Sequence, residues 1–358
     1  MTTIEAFRNL KNPVIISVGS IDGVLTSGAV LMLLGQCDAE GQRETDVPLI
    51  FTQAWTVDQI DVASLPTNSD VILVDLAVNV KDPQMTVNFV QRLIGAGHKI
   101  VAIIDEHGRD AWFGALTHAA GVASETIATN PMGYGSDYDG DSTSFAGFGL
   151  LVQPQGADRN KYPSSASVLR EIAPAFPFPM LLDNADDADR MIFTGIYSSI
   201  ANGCVKSAAP KDRDARCIAL SRAIAAGTLF SDPTIAGWMA EYARIEQANA
   251  EVLASAEFTT DRKIVSLDGT GKQIDVSAVL NAAYSWEGVR VVSLRCAQFN
   301  PATKRVETLV SFGTTKETGL DLIAILRTAG VPCGGFAQKA NVSVEDSDRA
   351  MMAIMAAM

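Results

Sequence analysis

At 358 residues the chain is too long for one small domain and fits two. With 47% apolar and 19% charged residues, it has the material for packed cores and not the composition of a disordered chain. The 41 acidic against 28 basic side chains give a formal charge of −13. That argues against a protein that coats duplex nucleic acid through a basic face, but it leaves open metal-dependent phosphoryl chemistry, whose sites are themselves built from carboxylates.

The first segments read as strands. Pro13–Val18, 47–52, 71–76 and Lys99–Ile104 are short, β-branched-rich apolar runs without alternation, as expected of strands buried on both faces. Between the last two, Asp82 stands as an N-cap, Pro83 as the first helical residue, and Val87, Val90, Leu93 and Ile94 as an apolar stripe that ends near Gly95 and Gly97. A strand about every 25–30 residues with a helix between predicts a doubly wound, mainly parallel α/β sheet. Ligands of such sheets bind beyond the carboxyl ends of the strands.

Residues 130–190 are less regular. They hold a Gly/Asp-rich run, Gly133 to Ser144, and a Pro-rich one, Ala173 to Pro179. From Ser231 the pattern predicts a long amphipathic helix opened by Pro233, with Ile235, Met239, Tyr242, Ile245 and Val252 on one face. Beyond Phe258, strand-like runs at 263–267, 289–296 and 306–312 precede a helix over 318–329. A short strand near Val342 and a Met-rich helix from Ser347 follow. The organisation expected is an α/β domain over 1–230, a connecting helix over 231–257 and a smaller α+β domain over 258–358.

Five scattered cysteines without a C-x-x-C pair read as reduced thiols of a cytoplasmic protein. Neither a secretory leader nor a membrane span is expected, because the first twelve residues lack an apolar core and no apolar run is long enough to span. Three histidines, His98, His107 and His118, make a His-rich zinc centre a poor expectation.

Chemistry concentrates at strand ends, which carry Ser20-Ile-Asp22-Gly, Val-Asp75-Leu and Ile-Asp105-Glu106-His107. Adjacent parallel strands would bring these carboxylates toward one crevice. Two charges ~4 Å apart at an effective dielectric near 20 repel by roughly 4 kcal/mol, so the group binds a cation, takes up protons or spreads apart. The alternative is that these acids cap the helices that follow. Other acidic runs are discounted. Asp137, Asp139 and Asp141 imitate a calcium loop but have Phe148 where a Glu is needed. Asp268 to Gln273 lacks the first Gly and the final Ser or Thr of a phosphate loop. Asp183, Asp186, Asp187 and Asp189 read as a solvated helix start, and the C-terminal methionines as packing residues.

In order and spacing, these motifs resemble the DHH phosphoesterase superfamily with its C-terminal DHHA1 domain, over nearly the whole chain. The superfamily includes RecJ-type exonucleases, oligoribonucleases, cyclic-dinucleotide phosphodiesterases and exopolyphosphatases. The matching segments are Ser20 to Ala29, the strand ending at Asp75, Asp105-Glu106-His107, and Cys333 to Val344 for the Gly-Gly-His-type loop. The resemblance implies metal ligation by Asp22, Asp75 and Glu106 and catalytic roles for Asp105 and His107. It further implies substrate contacts from Gly334, Gly335 and Lys339, and substrate held between the two domains. The cofactor implied is Mn²⁺ or Mg²⁺, at one site at most.

Departures from the family pattern limit what carries over. Ser20 replaces the first Asp, Ile16 and Val18 stand where a preceding His belongs, and Glu106 replaces the first His of the third motif. Thr194 to Ile200, the best match to a fourth motif, offers Ser198 or Ser199 in place of Asp, and Phe336 replaces the loop His. Most ligands of one metal of a two-metal centre are thereby lost. Two readings follow. One is a degenerate phosphoesterase-fold protein that binds a nucleotide, a short oligonucleotide, a protein partner or a second copy of itself with weak or no hydrolysis. The other is an active Mn/Mg phosphodiesterase on short oligonucleotides or dinucleotides, using a rearranged site.

Overall fold

The computed structural model describes residues 7–35, 47–107, 109–120, 161–300 and 305–358. The Asp137, Asp139 and Asp141 run and Cys37 lie outside them. The chain divides into two compact units, one ending at Met239 and the other starting at Ala240.

In the first unit, β1 (Pro13–Val18), β2 (Leu49–Thr52), β3 (Asp70–Val74) and β4 (Lys99–Ile104) form an all-parallel sheet in the order β2-β1-β3-β4. Its strands are largely apolar because both faces are covered. Ile15, Ile72 and Ile104 face one cluster, which includes Leu25 and Val30 of α1 (Ile21–Leu33). Val14, Ile16, Leu73 and Ile103 face another, with Phe89 and Leu93 of α2 (Pro83–Gly95) and Trp112 of α3 (Arg109–Ala120). Asp82 and Pro83 open α2, although Asp82 makes no side-chain cap bond, and Ile94 lies 36% exposed at the margin of the stripe.

The stretch that reads as irregular from sequence contains, among its described residues, two short helices, α4 (Ser165–Ile172) and α5 (Pro179–Asp189), and α6 (Ile196–Lys206) follows it. Thr194 to Ile200 therefore runs through the cap into the first turns of α6. Gly195 is the N-cap of α6, and the side-chain carbonyl oxygen of Asn184 accepts from the Tyr197 N–H at 2.9 Å and the Ser198 N–H at 3.4 Å. A tertiary partner thus satisfies donors that local sequence leaves open. The Asp183–Asp189 acids occupy the later half of α5, not a helix start. Arg170 pairs with Asp183 at 2.8 Å and with buried Asp186 at 2.9 Å. Helix α7 (Arg213–Ala225) packs on α1. Next comes α8 (Pro233–Ala254), whose first turn is capped by Asp232 accepting from the Thr234 N–H at 2.7 Å. The division between the units falls within α8.

The second unit is a six-stranded mixed sheet in the order β5-β6-β7-β8-β10-β9. Its strands are β5 (Glu257–Phe258), β6 (Ile264–Asp268), β7 (Val291–Asn300), β8 (Arg305–Thr314), β9 (Gly334–Phe336) and β10 (Lys339–Ser343). Only the β6–β7 pair is parallel. Helix α9 (Val276–Tyr284) packs against Val265, Leu267, Val292 and Leu294. Helices α10 (Leu322–Thr328) and α11 (Ser347–Ala357) pack with Ile264, Val291, Val310 and Phe312. This alternation along each strand assigns the two clusters to opposite faces. Strands β7 and β8 run further than their apolar cores because ladder pairing continues through Gln298–Glu307 and Asn300–Arg305. The helix expected from Thr318 starts at Leu322, where Asp321 caps by accepting from the Ala324 N–H at 2.9 Å. The C-terminal methionines divide: Met351 packs on the core, whereas Met352 and Met355 are exposed. The sequence-derived expectation of a doubly wound parallel sheet followed by a smaller α+β unit is borne out.

Candidate functional site

Strand order positions the site. From β1 the chain moves to one side of the sheet to form β2, and then to the other side to form β3 and β4. The ends of β1 and β3 therefore flank the switch point where ligands of parallel sheets bind.

After β1, Ser20 caps α1, its Oγ accepting from the Gly23 N–H at 2.8 Å and donating to Asp75 Oδ2. Gly23 is dictated by space, because a Cβ there would lie 2.2 Å from the Val18 carbonyl oxygen and 3.0 Å from Asp75 Oδ2. Asp22 faces inward, 2% exposed. Its Oδ1 accepts from Thr26 Oγ at 2.9 Å, and its Oδ2 accepts from the backbone N–H of Ser165 at 2.9 Å and the Ser165 hydroxyl at 2.8 Å.

After β3, Asp75 takes a φ of 53°, a left-handed conformation that costs a non-glycine residue about 1–3 kcal/mol and persists where surroundings enforce it. Here its N–H donates to the Ile104 carbonyl at 2.9 Å. After β4 come Asp105 and Glu106, both buried, and His107, whose side chain is 44% exposed. Asp105 Oδ1 lies 2.8 Å from His107 Nδ1, and Asp105 Oδ2 accepts from the indole N–H of Trp112 at 3.3 Å. Glu106 Oε1 is 3.2 Å from His107 Nδ1.

Asp22, Asp75 and Glu106 each present an oxygen within 4.8 Å of the others, and Asp105, Glu106 and His107 form an overlapping group on the same terms. The electrostatic consequence is large. Burial pushes Asp22 up to about 7 despite the Ser165 and Thr26 hydrogen bonds. Asp75 is raised well above the usual carboxylate range by burial and then by the charges of Asp22 and Glu106. Burial followed by the charge of Asp105 takes Glu106 to about 8. Buried, crowded negative charge of this kind is relieved by protons or by a cation. Three carboxylates make an all-oxygen donor set, which suits a hard divalent ion such as Mg²⁺ or Mn²⁺, so the residues present fit the metal that the resemblance implies.

The other sequence-derived candidates are not members of these acidic groups. The Ser198 and Ser199 hydroxyls turn back to the carbonyls of Gly195 and Ile196, each at 3.2 Å, and neither residue belongs to the acidic clusters. Gly334, Gly335 and Lys339 belong to the second unit, in the β9–β10 hairpin at the sheet edge, where Lys339 pairs with Phe336. Gly335 has a φ of 127°, and a Cβ there would be 2.1 Å from the Lys339 carbonyl oxygen. Sequence reasoning missed Ser165, Thr26 and Trp112. The Ser164-Ser165 pair marks a helix start, but nothing local ties it to an aspartate 143 residues earlier.

Sheet order, acids at the switch point and the second mixed-sheet unit are the arrangement that the resemblance to the DHH–DHHA1 phosphoesterases implies. One solved structure shares the fold over nearly the whole chain. The pGpG-specific phosphodiesterase PggH from Vibrio cholerae is similar over 97% of this chain and 98% of its own, at 12% identity and a TM-score of 0.53. An exopolyphosphatase-related protein from Bacteroides fragilis matches at 11% identity over 99% of this chain and 95% of its own, with a TM-score of 0.39. A DHH domain described as belonging to a family of ribosomal proteins matches at 11% identity, over 99% of this chain and 88% of its own, with a TM-score of 0.46. No protein-family model and no curated protein sequence matches the chain. Among the described residues, no helix is long and apolar enough to cross a membrane.

Proposed function

We propose that this protein binds one Mg²⁺ or Mn²⁺ through Asp22, Asp75 and Glu106, together with a phosphodiester of nucleotide size, and hydrolyses it weakly or not at all. The observation that carries this reading is the convergence of three buried carboxylates within 4.8 Å at the sheet switch point. A divalent ion there supplies the positive charge that lets an anionic phosphate approach an acidic crevice. The likeness to a pGpG-specific phosphodiesterase supports a linear dinucleotide as the first ligand to try. The net charge of −13 favours such a short ligand over a long nucleic-acid track.

Weak turnover follows from the position of Ser20. Where the resemblance expects a ligating Asp, Ser20 spends its hydroxyl on Gly23 and Asp75, so no second cation is clamped from that side. One observation favours the active alternative: Asp105 orients half-exposed His107 at 2.8 Å, an arrangement suited to a general acid. Lys339, Gly334 and Gly335 are kept as proposed substrate contacts.

Calorimetric titration with Mn²⁺, followed by hydrolysis assays on a linear dinucleotide and a short labelled oligoribonucleotide, tests the reading. One bound ion per chain that is lost in Asp75→Ala, with turnover near background, is expected. Absence of Mn²⁺ binding at millimolar concentration overturns it, and Mn²⁺-dependent turnover abolished in Asp75→Ala moves the protein to the active class.

A further inference from the structure

Asp22 does not rely on α1 alone for its orientation. Both hydrogen-bonding groups of Ser165 meet its Oδ2, the backbone N–H at 2.9 Å and the hydroxyl at 2.8 Å. Ser165 is fully buried, and its Oγ also lies 3.0 Å from Thr26 Oγ, which donates to Asp22 Oδ1 at 2.9 Å. A carboxylate oxygen has about two lone-pair sites. Oδ2 therefore has both occupied, and Oδ1 keeps one for an incoming ligand.

The element that carries Ser165 is itself fixed. Ser164 caps α4 in a reciprocal box with Ser167, accepting from its N–H at 3.1 Å. The Ser164 hydroxyl donates to buried Asp186, which Arg170 of α4 holds at 2.9 Å. Helix α4 is thereby tied to α5 through the buried Ser164–Asp186 hydrogen bond and the Arg170–Asp186 ion pair.

We propose that Ser165 is the positioning residue of the cation site, holding Asp22 so that Oδ1 is presented to the ion. The inference rests on the single-cation reading above. Outer-shell partners of ligating carboxylates typically contribute 10–100-fold in metal affinity, and Ser165 is such a partner brought in from outside every motif that carries the family resemblance.

The test compares Mn²⁺ affinity of the full-length protein and its Ser165→Ala, Ser165→Cys and Ser165→Thr variants, by calorimetry and by the electron paramagnetic resonance signal of free Mn²⁺. Melting in EDTA is the measure of folding. Ser165→Ala should bind Mn²⁺ about 10–100-fold more weakly with an EDTA melting temperature close to wild type. Ser165→Cys, of similar volume but a weaker donor, should fall between, and Ser165→Thr should return toward wild type. Wild-type affinity in Ser165→Ala or Ser165→Cys overturns the proposal while leaving the cation site standing. Affinity losses that track melting-temperature losses across the three variants overturn it too. A wild-type protein that binds no Mn²⁺ removes both this inference and the reading beneath it.

Discussion

The Ser20 hydroxyl donates to Oδ2 of Asp75, a residue 55 positions away on the neighbouring strand end. It simultaneously accepts from the Gly23 N–H. One neutral side chain thus caps a helix and steadies a crowded carboxylate in a place where an aspartate would add another charge.

Ser20→Asp should expose that balance. In EDTA the variant is expected to be less stable by about 1–3 kcal/mol, because a new carboxylate faces buried Asp75. With Mn²⁺ in excess, the number of ions bound per chain should rise from one toward two, and hydrolysis of a linear dinucleotide should increase. Denaturant unfolding and metal titration check both halves. Unchanged stability together with unchanged stoichiometry would show that Ser20 does not occupy a ligand position.

The metal-free protein should lose stability as the pH rises. The folded-state values of Asp22, about 7, and Glu106, about 8, stand above the ordinary 3.8 and 4.5. Between the ordinary and the raised values the folded state binds more protons than the unfolded one, so stability falls with rising pH. The fall begins near pH 4 and continues to about pH 8, where both groups have ionised in the folded state. Saturating Mn²⁺ should flatten the upper part of the curve, since the ion binds the ionised carboxylates. Chemical denaturation from pH 5 to pH 9 with and without EDTA measures this. A flat or rising profile in EDTA would contradict the buried, repelling cluster.

Gly23→Ala tests the packing beneath the site. The added methyl would lie 2.2 Å from the Val18 carbonyl and 2.9 Å from the Ser17 hydroxyl. Backbone must therefore move, at a cost of about 1–3 kcal/mol. Because Asp75 Oδ2 is also within 3.0 Å of that position, Mn²⁺ affinity should weaken in parallel. A variant with wild-type melting and wild-type affinity would show that α1 can shift freely against β1.

His107 bears on the active alternative. Its side chain is 44% exposed and contacts Asp105 through Nδ1, so Nε2 is the nitrogen that would meet a ligand. Any hydrolysis of a linear dinucleotide should drop about 10²–10⁴-fold in His107→Gln if the imidazole transfers a proton, while Mn²⁺ affinity should change far less. Equal loss of affinity and rate would instead make His107 part of the cation site.

Local pattern determined a good deal by itself. The continuous apolar runs at Pro13–Val18 and Lys99–Ile104 became β1 and β4 with those bounds, and Asp82-Pro83 opened α2, because strand burial and proline geometry are written into a few adjacent residues. The acids at three strand ends were equally legible. Their convergence was expected only on condition that the strands are neighbours, and the order β2-β1-β3-β4 that meets the condition is a property of long-range pairing. Tertiary structure alone also decided that Thr194 to Ile200 is a helix start, through the side chain of Asn184, and that Asp22 is held by Ser165. Period and propensity act over a handful of residues. A hydrogen bond between residues 143 apart exists only once the sheet and its covering helices have fixed which surfaces meet.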